Sequence, residues 1–255
     1  GARAVCAEPS VLGATFYLMD FVDGWSPISE SHWPEPFDSD PGARRGLAFE
    51  LVDAIARLSR VDWKARGLEG LGRPDGFHDR QVDRWYAHLR QFEFRKIPGL
   101  DDAGDWLRGH RPRNYQPGIM HGDYQFANVM FHHGGPARLA AIVDWEMGTV
   151  GDPLLDLAWV VMGWPDEGEV RTGGYVDYTG MPNRDDLLDH YATVSGRDVD
   201  DIDYYVVLAR FKLAIVLEGG YARYVAGRAD NPRMEAFGGV VLDLAARAAE
   251  LVRTI

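Results

Sequence analysis

His121-Gly122-Asp123-Tyr124-Gln125-Phe126-Ala127-Asn128 and, a little further on, Ile142-Val143-Asp144-Trp145-Glu146 are the stretches whose reading decides the fold of this chain. Between them, 128–131 and 139–143 are short apolar runs separated by His133-Gly134-Gly135-Pro136, a turn composition, so the segment predicts a β-hairpin. The hairpin puts Asn128 just before its first strand and Asp144 just after its second. Two oxygen donors distant in sequence are then held near each other on a rigid support. With Asp123 the set holds two carboxylates and one amide. The amide oxygen of Asn128 and the carboxylate of Asp144 are hard donors suited to Mg2+ on nucleotide phosphates. Asp123 is the candidate group facing an acceptor hydroxyl, and His121 the framing residue whose ring fixes the loop. Transfer of a phosphoryl group needs alignment and charge neutralisation more than covalent help, so this short donor set is sufficient in kind. Single Asp or Asn residues at loop starts usually close turns or cap helices. Three in this order around one hairpin form a different pattern.

The rest of the composition narrows the class. The chain has 255 residues, 46% hydrophobic and 26% charged, enough for a packed core in one large domain or two small ones. A formal net charge of -12 without a basic stripe argues against a general nucleic-acid binder. The single cysteine, Cys6, allows no internal disulfide and no four-thiolate zinc site, which fits a reducing cytoplasmic setting. The most apolar helical stretch, 204–217, is interrupted by Arg210 and Lys212 and is too short to span a bilayer, so a buried core helix is expected and no membrane.

Outward from the hairpin, 15–19 reads as a buried strand running into an Asp23-Gly24 turn. The Pro-, Ser- and Trp-rich segment 25–41 reads as a loop. Asp40-Pro41 then has the form of a helix start, followed by Leu47, Leu51, Ile55 and Leu58 at helical spacing. Helices are expected at 81–94, around Trp106-Leu107, and from Leu154 through Val160. Three more are expected at 185–194, 201–223 and 233–252. Segments 67–76 and 165–183 read as loops. The loop aromatics Trp25, Trp33, Trp164, Tyr175 and Tyr178 either line an acceptor pocket or cover an edge of the core. Glu218 and Arg210, inside an apolar helix, need partners if buried. Asp152 reads as a turn or cap residue, and the role of Glu146 stays open. His132-His133 point to different sides of a turn and lack a third ligand for zinc.

The His121-Gly122-Asp123 loop with Asn128, together with Asp144-Trp145-Glu146 and Gly151-Asp152-Pro153-Leu154-Leu155-Asp156-Leu157-Ala158, resembles the aminoglycoside phosphotransferase and choline kinase superfamily. The resemblance implies an α/β (α+β) protein-kinase-like fold, mostly its helical C-terminal lobe with a catalytic β-hairpin. It implies Asp123 as catalytic base, Asn128 and Asp144 as Mg2+ ligands, and Asp156 as a brace of the catalytic loop through hydrogen bonds. Met19-Asp20-Phe21-Val22 looks like the inter-lobe hinge, with backbone groups near Asp20 and Val22 contacting the base of ATP or GTP. Gly72-Arg73-Pro74-Asp75-Gly76-Phe77 and Arg80-Gln81-Val82-Asp83-Arg84-Trp85 are similar to a subgroup related to kinase-like domains fused to some acyl-CoA dehydrogenases.

One departure is large. The superfamily carries a small β-rich lobe, with a glycine-rich loop and an ion-paired lysine over the phosphates, before the hinge. Here the lysines are Lys64, Lys96 and Lys212, none in a Val-Ala-Ile-Lys-type strand, and no Gly-x-Gly-x-x-Gly or Walker pattern occurs. Gly70-Leu71-Gly72 reads as a loop turn. Residues 1–24 are therefore expected to be a remnant of the smaller lobe and the hinge, and residues 25–255 the helical catalytic and substrate lobe. As a fragment of a longer protein, this chain alone is expected to be inactive or weak. The expected activity is transfer of the terminal phosphate of ATP or GTP to a hydroxyl of an aminoglycoside-like, amino-alcohol or hydroxyacyl acceptor. A non-catalytic pseudokinase and a metal-dependent phosphohydrolase are the alternatives. The sequence carries no reading of oligomeric state.

Overall fold

The computed structural model describes residues 1–28, 32–165 and 176–255. At the N-terminus β1 (Ala2–Cys6), a one-turn helix α1 (Pro9–Leu12) and β2 (Phe16–Met19) make an antiparallel ribbon. The strand expected at 15–19 forms, but it is not buried. Tyr17, Leu18 and Met19 are exposed, and no side chain before Trp25 is buried. A two-stranded ribbon has two open faces, and no described element covers either of these.

The packed body starts at Trp25. α2 (Pro41–Ser59) begins as its sequence dictates: Asp40 accepts from the Gly42 N–H at 2.7 Å and Pro41 occupies the first turn. Leu47, Leu51 and Ile55 are buried, whereas Leu58 lies at the helix edge. α3 (Phe77–Leu89) starts earlier and stops earlier than the expected 81–94, because Gly76 takes a left-handed conformation ahead of Phe77 and the chain turns after Arg90. α4 (Leu100–Gly109) holds Trp106 and Leu107.

β3 (Gly118–Met120) leads into the key loop, and β4 (Val129–Phe131) and β5 (Leu139–Ile142) form the predicted hairpin, with Val129 opposite Ile142. β6 (Thr149–Gly151) returns to pair with β3, Met120 opposite Thr149. α5 (Leu154–Val161) is buried on every side; all its residues are apolar except Asp156, whose carboxylate has partners in the adjoining loop. α6 (Arg184–Ser195), α7 (Ile202–Val225) and α8 (Pro232–Thr254) complete the order. α7 runs through the middle of the helical layer, packed on α3, α4, α5 and α8.

Two buried polar links tie these layers together. Asp152, at the turn into α5, accepts from the Leu154 N–H as a cap residue does. It also accepts from Tyr205 of α7 at 2.5 Å and lies 2.8 Å from His78 Nε2 of α3. Glu218 of α7 is 1% exposed and forms a two-point pair with Arg95, at 2.8 and 2.6 Å, away from the hairpin. Arg210 donates to the Arg247 and Met162 carbonyls. Trp25, Trp33 and Trp164 are core residues, and Tyr178 meets the Trp164 ring edge-on. Tyr175 lies outside the described residues. No described helix is long and apolar enough to cross a membrane.

Candidate active site

The loop between β3 and β4 is fixed one peptide at a time. His121 is fully buried; its backbone N–H donates to Asp156 Oδ2 at 2.6 Å, and the Gly122 N–H donates to Asp156 Oδ1 at 2.8 Å. Both oxygens of Asp156, on α5, are therefore spent on the loop. Burial pushes that carboxyl above its ordinary range, and the two N–H donors pull against the shift. Gly122 has φ +86°, and a Cβ there would stand 2.6 Å from the Met147 carbonyl oxygen, so the tight approach of the loop to the turn between β5 and β6 requires glycine. The His121 ring donates from Nε2 to the Val143 carbonyl at 2.8 Å and accepts at Nδ1 from the Asp123 N–H at 3.3 Å. It thereby connects the loop to the far end of β5, with the Trp145 ring packed against its edge. Tyr124, fully buried, anchors the other side by donating to Leu51 O of α2 at 2.9 Å.

This scaffold leaves Asp123 at the surface of the loop, half-buried. Its Oδ1 accepts from Gln125 at 3.0 Å and its Oδ2 from Asn128 Nδ2 at 3.0 Å. Desolvation raises the Asp123 carboxyl; the Asn128 bond and the charge of Lys212 lower it by less. Asn128 Nδ2 also donates to the Asp123 carbonyl, so its amide nitrogen is committed to the loop and its Oδ1 is the atom left for another partner. Across the hairpin the Val143 N–H donates to Asn128 O at 2.9 Å, which brings the residue before Asp144 against Asn128. Asp144 stands exposed at φ +63°, the one non-glycine residue with positive φ among those described. Its carboxylate has neither a hydrogen-bond nor an ion-pair partner among the described residues.

The donors fit Mg2+, which takes one or two protein oxygens and completes its shell with water and substrate phosphates. Asn128 Oδ1 and the Asp144 carboxylate are two oxygens of that type. A strained backbone at an unpaired carboxylate is the kind of feature found at ligand clamps. Among the described residues no three His, Cys, Asp or Glu side chains form a metal cluster of their own. Glu146, exposed beside Trp145, adds no contact.

The hinge expected at 19–22 leads straight to the hairpin. Trp25 forms a two-way backbone bridge with Phe131, at 2.9 and 2.8 Å, and a Cβ on Gly24 would stand 2.7 Å from Phe131 O. Val22 is half-buried and its backbone is unbonded among the described residues, whereas the Asp20 N–H donates to Gly1 O at 3.0 Å. The Asp20 carboxylate pairs with Arg3 at 2.5 Å, which holds its pKa below the usual carboxylate value.

Sequence reasoning passed over Lys212. Its side chain is 5% exposed, and its ammonium donates to Gly122 O in the middle of the loop. It lies 5.5 Å from the Trp85 ring and 5.3 Å from the Trp159 ring. The signal was available, because a lysine inside the apolar run 204–217 needs a buried partner. The same cue had already marked Arg210 and Glu218.

With this geometry in view, the comparisons with known proteins are specific. Residues 2–188 match the model of the phosphotransferase enzyme family. A candidate aminoglycoside phosphotransferase of Ralstonia eutropha JMP134 is 30% identical, with a TM-score of 0.83 over 99% of this chain and 77% of that one. The GDP complex of aminoglycoside 2'-phosphotransferase-IIIa shares the fold at 12% identity, with a TM-score of 0.60 over 97% of this chain and 75% of that one. Acyl-CoA dehydrogenase family member 11 of Gallus gallus is 30% identical over 98% of this chain. The chain spans about a third of that relative's length, 33%.

Proposed function

The chain belongs to the phosphotransferase enzyme family, with the kinase-like fold of that family's solved structures, and we propose that it transfers the terminal phosphate of ATP or GTP to a hydroxyl of a small molecule. The observation carrying this reading is the state of three side chains on one loop and hairpin. Asp123 is aimed by Gln125 and Asn128, Asn128 keeps an oxygen free, and Asp144 is unpaired. In the proposed reaction the acceptor O–H gives its proton to Asp123. The acceptor oxygen bonds to the terminal phosphorus, the bond from that phosphorus to the bridging oxygen breaks, and the nucleoside diphosphate leaves. Asn128 and Asp144 would hold Mg2+, which when bound neutralises phosphate charge. His121 keeps the loop in register through Val143 and the Asp123 N–H, and Asp156 braces it from below. The hinge at Asp20 and Val22 is proposed to contact the base. Residues 1–24 are read as lobe remnant and hinge and 25–255 as catalytic lobe, with weak nucleotide binding by this chain alone. Calorimetry with ATP tests that last point.

Among the three acceptor classes, one observation favours an anionic hydroxyacyl thioester. A cavity of about 440 Å³, lined by Arg73, Arg80 and Arg84 with Thr149 and Val150, lies behind β6, the strand paired to the one entering the catalytic loop. No described carboxylate pairs with Arg73 or Arg84, in a chain of net charge -12. Similarity to acyl-CoA dehydrogenase family member 11 of Gallus gallus and of Homo sapiens, of which this chain spans about a third, supports placing the proposed acceptor among acyl thioesters. The test is a screen of hydroxyl acceptors of all three classes against the complete protein with Mg2+ and ATP, read by mass detection of the added phosphate. A phosphorylated hydroxyacyl thioester is expected. Phosphorylation of an amino-alcohol instead would reject the acceptor assignment. ATP hydrolysis at one rate with or without every acceptor would favour a phosphohydrolase, and no nucleotide turnover a pseudokinase.

A further inference from the structure

The peptide unit joining Gly122 to Asp123 is held at both of its polar atoms. Its N–H end, on Asp123, donates to His121 Nδ1 at 3.3 Å, and its C=O end, on Gly122, accepts from the Lys212 ammonium. The preceding peptide is held too, since the Gly122 N–H donates to Asp156 Oδ1 at 2.8 Å. Rotation of the Gly122–Asp123 plane is the one backbone freedom that glycine at φ +86° would leave to the residue carrying the carboxylate. Lys212 removes it. The lysine itself has nowhere else to go: Trp85 of α3 and Trp159 of α5 present their rings to its ammonium, and the carboxylates of Asp156 and Asp123 are the negative charges acting on it. A buried ammonium is costly to desolvate and is retained only where it has groups to hold, here the Gly122 carbonyl and the nearby carboxylates. Its presence here is therefore better accounted for by what it holds than by what it adds to the core.

We propose that Lys212 is a positioning residue for phosphoryl transfer, fixing the Gly122–Asp123 peptide plane and with it the direction of the Asp123 carboxylate toward the acceptor hydroxyl. The inference rests on the reading of Asp123 as the proton acceptor. It reaches from α7, ninety residues beyond the loop, and touches neither nucleotide ligands nor the hinge.

The test is steady-state kinetics of the complete protein with Lys212→Met, Lys212→Gln, Asp123→Asn and the double variant Asp123→Asn/Lys212→Met, each checked by its melting transition. Misdirecting a catalytic group by a fraction of its length costs about 10- to 100-fold in rate, so Lys212→Met is expected to lose about that much kcat. Lys212→Gln keeps a donor for Gly122 O and is expected to recover part of the loss. The KM for nucleotide is expected to stay within about twofold in both, since no binding contact is removed. Because Lys212 acts through Asp123, adding Lys212→Met to Asp123→Asn is expected to cost no further rate, the non-additivity that marks a shared function. A kcat near wild type in Lys212→Met, with Asp123→Asn inactive, overturns the proposal. So does a rise in nucleotide KM equal to the loss in kcat/KM, or unfolding of both single Lys212 variants, which would make the lysine a core element. Wild-type turnover in Asp123→Asn instead rejects the underlying reading, a distinguishable result.

Discussion

Two antiparallel ribbons of similar length behave differently in this molecule. In the β1–β2 ribbon the strands pair, yet Val5, Leu18 and Met19 are 73%, 56% and 62% exposed and nothing described packs on them. In the β4–β5 ribbon Val129 and Phe131 are fully buried, and the loop entering it is held by Asp156, His121, Tyr124 and Lys212. The ladder is the same kind of structure in both. What distinguishes the candidate site from the bare ribbon is the set of buried partners that remove the freedom of the attached loop.

The strongest way to break this contrast is at Asp123. Asp123→Ala is expected to lower kcat by about 10²- to 10⁴-fold, the range for a removed general base, with the melting transition intact. Near-wild-type turnover would strip the β4–β5 ribbon of its chemistry. Native-state hydrogen exchange compares the ribbons directly. The His121 and Gly122 amides, donated into a buried carboxylate, are expected to exchange about 10³-fold or more slowly than the β1–β2 amides. Equal rates would mean that the loop is no better held than the exposed ribbon.

A third comparison uses stability. Asp156→Ala leaves two buried N–H groups without acceptors and is expected to cost about 2–4 kcal/mol in denaturant unfolding. Tyr17→Ser on the exposed ribbon is expected to stay within about 0.5 kcal/mol. A cost below about 1 kcal/mol at Asp156 would contradict the bracing geometry.

A further comparison concerns Lys212, which burial pulls down to about 8 from its ordinary 10.5. Between these values the unfolded chain binds more protons than the folded one, so this group makes folding more favourable as pH rises through that window. That contribution is fully present above the unfolded value and is lost as pH falls through 8. The difference in unfolding free energy between wild type and Lys212→Met should therefore shift toward wild type from pH 8 upward; a flat difference would contradict the buried ammonium.

Much of the β4–β5 hairpin and its candidate site was legible because its signals are local. Turn residues bound the hairpin, and Asn128 and Asp144 flank it in sequence. The N-cap at Asp40 and the helical spacing of Leu47, Leu51 and Ile55 were legible for the same reason. The exposure of β2 was not, since an apolar strand reads the same whether or not another layer covers it. Nor was the contact of Lys212 with Gly122, which joins residues ninety apart through the packing of α7 on α5. The tie of Asp152 to His78 and Tyr205 is of the same non-local kind, so Asp152 read only as a turn residue. The loop was read to end at Gly76, as it does, but the start of α3 at Phe77 was missed because the helix was counted from Gln81, leaving 77–80 unassigned although they form its first turn.

One titration tests the hairpin oxygens most directly: capture of Mn2+ in place of Mg2+ by the complete protein with ATP, followed by the electron-spin-resonance signal of free ion. Asn128→Ala and Asp144→Ala are each expected to weaken capture by about tenfold or more, while Asp123→Ala leaves it within about twofold. Unchanged capture in both Asn128→Ala and Asp144→Ala would contradict the assignment of these hairpin oxygens to the metal, and with it the central claim.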